Sequence, residues 1–164
     1  MVLFKLLNAK KTLILGLGNT LLSDDGVGIY VAREIRRILR SPDVEVAEAS
    51  AGGLELLDMM WGFDRAAIVD AVVTGRRPAG SLSVIGPDDL PGGSSMARHR
   101  VGLKEALELG RRLKMDLPAE VVVYGIEVAD PLTFGEACTP SVAARIPALA
   151  CEIAERERGA GEKR

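Results

Sequence analysis

Four acidic or imidazole side chains carry most of the chemistry this chain can offer. Asp24 and Asp25 stand side by side in the glycine-rich stretch GLGNTLLSDDGVG (residues 16–28), Asp70 follows the apolar run AAIV, and His99 is the one histidine among 164 residues. Two carboxylates and a neutral imidazole make a mixed oxygen–nitrogen donor set, suited to zinc, nickel or another first-row ion rather than to calcium. The same trio is equipped for general acid–base work on a water molecule. Each residue also has an ordinary use. An aspartate ahead of a helix caps free N–H groups and opposes the helix dipole. An aspartate at a strand end caps a loop, and a lone histidine is most often a surface or helix-entry residue. One cap needs one carboxylate, so the second of the adjacent pair is left either as a solvated charge or as a functional group.

A glycine-rich turn after a strand first suggests a phosphate. Here the spacing Gly16-x-Gly18 lacks the third glycine of the dinucleotide fingerprint, because position 21 is leucine. Two aspartates at the start of the following helix would also repel a pyrophosphate. The turn rejects phosphate and suits a cation. Ser94-Ser95 lacks a nucleophile elbow, and Cys138 has no visible activating partner. Cys138 and Cys151 form neither a CxxC pair nor a zinc spacing, and nothing supports a disulfide between them. Arg76-Arg77, and Arg98 with Arg100, fit a solvated face better than a dock for an acidic partner.

The elements that must position these residues are legible as apolar periodicities. Short aliphatic runs predict strands at 12–17, 44–49, 65–72, 81–86 and 120–128, the first of them continuous. Helical spacing predicts helices from Val27 to the Ser41-Pro42-Asp43 stop, over 53–61, over 101–114, and from Pro140 to about Arg158, with a frayed tail beyond. The Val27 helix turns Val27, Val31, Ile35, Ile38 and Leu39 to one face and its arginines away. Strands apolar on both faces, alternating with helices, predict a three-layer α/β/α sandwich around a mainly parallel sheet of about five strands. The working site of such a sheet lies beyond the carboxyl ends of its strands. Gly16 to Asp25 follow the first strand, Asp70 ends the third, and the loop with His99 leads into a helix. All three segments are placed to converge on one crevice.

Bulk properties narrow the class. The chain predicts a single domain over residues 1–164 with its core at about 12–157. Hydrophobic residues are 48% and charged residues 27%, an ordinary globular mix, while aromatics are only 4%. A net charge of −2 gives no electrostatic reason for nucleic acid or an anionic membrane. The segment MVLFKLLNAKKTLILGLGN has neither the apolar run nor the cleavage site of a signal peptide, and no stretch is long enough to cross a bilayer. A soluble, cytoplasmic monomer is expected.

Three blocks in order resemble the hydrogenase maturation proteases: ILGLGNTLLSDDGVG, IVDAV and HRVGL, with YGIEVADPLTFGEACTPSV similar to the family's late strand and loop. The resemblance spans residues 12–154. It implies a peptidase that trims the C-terminal extension of a nickel–iron hydrogenase large-subunit precursor once nickel has been inserted. It maps the family's metal-binding trio onto Asp25, Asp70 and His99, leaving Asp24 as the capping residue. It also implies that nickel arrives with the substrate and that no organic cofactor is needed. The second acidic position is glutamate in some relatives, so Asp25 is one methylene shorter than theirs. The eleven residues before the first strand depart from the family's short N-terminus. Hydrolysis by metal assistance and by an aspartate base both fit these residues. So does a non-cleaving nickel-binding assembly factor; a metal-dependent ligand-binding α/β module lacks basic residues beside the turn.

Overall fold

A computed structural model of the chain describes residues 10–50, 52–90 and 102–162. The strands are β1 (Thr12–Leu17), β2 (Val44–Ala49), β3 (Arg65–Val72), β4 (Leu82–Ile85) and β5 (Glu120–Glu127). The helices are α1 (Val27–Ile38), α2 (Glu55–Met60), α3 (Leu103–Arg112), α4 (Pro140–Ala143) and α5 (Ile146–Glu162), with short 3-10 turns at Ser23–Gly26 and Pro87–Asp89. The five strands form one sheet in the order β2-β1-β3-β5-β4. β1 pairs in parallel with β2 and β3, and β3 with β5, whereas β4 runs antiparallel to β5.

Period-two alternation divides the core between two faces. Ile14, Ala67, Val69, Ala71, Tyr124 and Ile126 meet α1 and α5 on one side. Leu13, Leu15, Leu17, Ala66, Ile68 and Val123 meet α2 and α3 on the other. The three-layer sandwich follows directly: strands apolar on both faces need helices on both. Burial of Val27, Val31, Ile35 and Leu39 bears out the apolar stripe of α1, with Ile38 partly buried.

Two elements differ from expectation for local reasons. The final helix is broken into α4 and α5 by a turn at 144–145, because Pro147 in the first turn of α5 has no N–H to continue the ladder. α5 then runs on to Glu162. β4 is antiparallel because the connection from β3 holds no helix to carry a parallel crossover.

At the amino edge of the sheet, Arg65 donates from Nε and Nη2 to the buried Glu157 (2.7 and 3.0 Å), and Tyr124 donates its hydroxyl to the same carboxylate (2.6 Å). Glu120 pairs with Arg65 as well. Burial, with the Glu157 charge behind it, pushes the Tyr124 phenol well above its usual range. This network ties α5 to β3 and β5 at the end opposite the acidic residues.

The carboxyl edge is shaped by glycine. A Cβ on Gly28 would collide with the carbonyl oxygens of both Leu17 and Val69, and one on Gly16 with the Gly28 carbonyl and Ala32 Cβ. The first turn of α1 therefore lies directly on the ends of β1 and β3. Gly28→Ala is expected to lower unfolding stability by about 3 kcal/mol through overpacking against fixed backbone. Urea denaturation checks this, and an unchanged midpoint would show that helix and sheet have room to part.

Candidate active site

The strand order places a topological switch between β1 and β3. The chain leaves β1 for β2 on one side, and leaves β3 towards β4 and β5 on the other, opening a crevice at the carboxyl ends of the two central strands. Asp70 lies on β3 one step beyond the Gly16–Val69 pair, opposite Gly125 of β5. It is fully buried. Alternation puts it on the face of Ala66 and Ile68, the side covered by α2 and α3.

Asp25 belongs to the 3-10 turn Ser23–Gly26, which packs against β3 and runs straight into α1. It is 4% exposed, and its Oδ2 accepts the Asn19 N–H at 3.0 Å. Asn19 Oδ1 in turn accepts the Leu21 N–H (2.9 Å), and the Asp25 N–H donates to the Leu22 carbonyl (2.9 Å). Gly18, at φ +145°, lets the chain leave β1 against the Asp25 carbonyl, where a Cβ has no space. Ser23 holds φ 41°, a conformation uncommon for a residue with a side chain. Glycines and a strained serine thus wind a tight turn that delivers one carboxylate to the crevice.

Asp24 does something other than cap a helix. Neither the 3-10 turn nor α1 has a side-chain cap. The fully buried Asp24 carboxylate instead accepts the N–H groups of Ala129 (3.1 Å), Asp130 (2.9 Å) and Thr139 (2.6 Å), and the Thr139 hydroxyl at 3.0 Å. All its donors come from residues 129–139, the loop after β5. That loop is fastened further by Ser23 N–H to the Gly135 carbonyl (2.8 Å) and by the Tyr30 hydroxyl to the Glu136 carbonyl (2.6 Å). The adjacent aspartates divide the work: Asp24 anchors the loop wall, and Asp25 faces the turn.

A fourth buried carboxylate at this edge, Glu127 at the end of β5, accepts the N–H groups of Thr74 and Gly75 (2.8 and 2.9 Å) and the Thr74 hydroxyl (2.5 Å). It fixes the loop that leaves β3 just after Asp70. Nothing in the local sequence marks Glu127, since its donors lie more than fifty residues away.

His99 lies outside the described residues, as do Ser94 and Ser95. Among the described residues, no cluster of three or more His, Cys, Asp or Glu side chains is assembled as a metal site. Asp25 and Asp70 supply only part of the expected trio from the described chain.

Among the described residues, the candidate nucleophiles Cys138 and Ser23 are disfavoured by their surroundings. Burial, reinforced by the Asp24 charge, pushes the Cys138 thiol up to about 12, so it stays protonated and unreactive near neutrality. Cys138 and Cys151 are both free thiols. Ser23 Oγ donates to the Ala137 carbonyl (3.2 Å), which leaves it unactivated. Among the described residues, the groups this crevice offers for acid–base work are carboxylates, a class of side chain that hydrolytic enzymes use.

Comparison with known proteins specifies the class of enzyme. The family model described as hydrogenase maturation protease matches residues 29–156, so the chain belongs to that family and is a peptidase. The Hydrogenase 2 maturation protease of Escherichia coli (strain K12) is 29% identical over 154 residues, covering 91% of this chain and 93% of that protein. The hydrogenase expression/formation protein HupD of Bradyrhizobium diazoefficiens is 30% identical over 87% of this chain and 77% of its own length. The fold matches the hydrogenase maturating endopeptidase HybD from E. coli with a TM-score of 0.73 and 23% identity, over 92% of this chain and 94% of that one. It also matches the [NiFe] hydrogenase maturation protease HycI from Thermococcus kodakarensis, with a TM-score of 0.69 and 23% identity over 94% and 97% of the two chains. The matched segment of the family model begins just after the acidic turn, so Asp25 rests on its own geometry.

Replacing Asp24 by alanine leaves the 129–139 amides without their buried acceptor. A stability loss of about 3 kcal/mol is expected, as for charge-assisted hydrogen bonds. Hydrogen exchange at Ala129, Asp130 and Thr139 should accelerate ahead of global unfolding. Unchanged exchange at these amides would refute the anchoring role.

Proposed function

We infer that this peptidase removes the C-terminal extension of a nickel–iron hydrogenase large-subunit precursor after nickel insertion, and that Asp25, Asp70 and His99 recognise the nickel carried by that substrate. The observation that carries the reading is the arrival of two buried carboxylates, from separate elements, at the β1–β3 switch point. The placement of α3 supports the third member. Its first residue, Leu103, packs on the face to which strand alternation assigns Asp70, so the chain four residues after His99 reaches that same side.

The chemistry follows from the donors. Nickel already seated in the precursor brings the adjoining chain to the crevice as it is bound, and the scissile peptide gains proximity and orientation to the carboxylates. A carboxylate oxygen not engaged with the metal takes a proton from the attacking water and returns it to the leaving amine. The Asn19 N–H on Asp25 Oδ2 and the Gly28 contact with β1 and β3 hold the Asp25 carboxylate in one orientation during that exchange. Cleavage then depends on metal loading, because an empty precursor offers nothing for the carboxylates to hold.

The experiment combines nickel-loaded and nickel-free precursor with wild-type protein and with Asp25→Asn, Asp70→Asn and His99→Ala, followed by mass measurement of the products. Wild-type protein is expected to shorten the loaded precursor alone. Each variant should keep its circular dichroism and lose at least about a hundredfold in rate. Equal cleavage of loaded and empty precursor would remove nickel recognition from the mechanism, and wild-type rates in the variants would remove the residues.

A further inference from the structure

The carboxyl edge of the sheet carries apolar side chains that folding leaves in water. Leu21 is 53% exposed, Leu132 69% and Phe134 85%. Phe134 is the most exposed of the large hydrophobic residues described, yet its loop is held firmly. The Gly135 N–H donates to the Leu21 carbonyl (3.1 Å) and the Ser23 N–H to the Gly135 carbonyl (2.8 Å), so the backbones beside Leu21 and Phe134 run together as a short parallel bridge. Asp130 Oδ1 accepts the N–H groups of Leu132 and Thr133 (3.2 and 3.0 Å), which fixes the turn between the two exposed side chains. Asp24 anchors both ends of the loop. An apolar ridge set in place by hydrogen bonds contributes nothing to the core, and exposed apolar surface of this kind marks an interaction site.

The ridge is continuous with the acidic turn: Leu21 is bonded to Asn19, and Asn19 to the Asp25 carboxylate. A peptidase must admit a polypeptide at its cleavage centre, so side chains bordering that centre lie in the substrate's path. We propose that Leu21, Leu132 and Phe134 form a docking ridge for an apolar segment of the polypeptide substrate that flanks the cut. This rests on the reading of Asp25 and Asp70 as the cleavage centre. The molecule supplies its own control. Trp61 and Leu113 are similarly exposed, at 63% and 64%, but follow α2 and α3 at the amino edge of the sheet, away from the crevice.

Steady-state cleavage of nickel-loaded large-subunit precursor by Phe134→Ser and Leu132→Ser tests the ridge, with Trp61→Ser and Leu113→Ser alongside. KM should rise about tenfold in the first pair with kcat little changed, as expected for removal of a central interface side chain. Phe134→Leu should recover most of the loss, and the amino-edge pair should match wild type. Unchanged KM in Phe134→Ser overturns the proposal. So does a wild-type dimer in sedimentation that Phe134→Ser dissociates without moving KM, for the ridge would then join two copies of this chain. If wild-type protein cuts no loaded precursor, the cleavage reading fails separately. Calorimetric titration with the same precursor then decides the ridge: about tenfold weaker binding by Phe134→Ser sustains it, and equal binding ends it.

Discussion

The structure depends on one close approach, the first turn of α1 against the carbonyl ends of β1 and β3. Gly28 touches both strands at once, and no residue with a Cβ fits there without moving backbone. That contact sets the height of the preceding 3-10 turn above the sheet, and so the position of Asp25. Because close-packed interiors relax little around inserted atoms, even a methyl group would act on the crevice through the helix, without touching a carboxylate.

Charge is handled differently at the two edges of the sheet. At the amino edge the buried Glu157 meets a guanidinium and a phenol, a compensated arrangement that fastens α5 to the strands. At the carboxyl edge Asp24 and Glu127 are satisfied by backbone N–H groups and threonine hydroxyls, with no basic side chain among the partners described.

The parts legible in the sequence are those fixed by local pattern. The apolar runs of β1 and β3 carry their own boundaries, since a strand buried on both faces admits few polar residues. The same holds for the α1 stripe, and for Asp70 at the end of β3. What escaped depends on partners distant in the chain. Asp24 reads as a helix cap from its neighbours, and its acceptor role appears only when residues 129–139 fold back across more than a hundred positions. Glu127 is hidden for the same reason, and the direction of β4 is decided by the absence of a helix between β3 and β4. The Pro147 break in the last helix was visible in the residue itself, yet apolar spacing on both sides concealed it.

The pairing of Asp24 with Asp25 gives these limits a physical meaning. Adjacent carboxylates repel, and burying both is tolerable only when each has its own compensation. Asp24 draws its share from a loop eleven residues long, so that loop cannot leave without exposing an uncompensated buried charge. Asp25 takes the Asn19 N–H. The loop that bears Phe134 is therefore tied energetically to the turn that bears Asp25, through neighbouring residues of the same 3-10 turn. A substrate segment settling on that loop would meet a carboxylate held at a fixed offset, and a rigid offset between a recognition surface and a reacting group is what converts binding into orientation. In this protein Asp24, the first aspartate of the pair, supplies that rigidity.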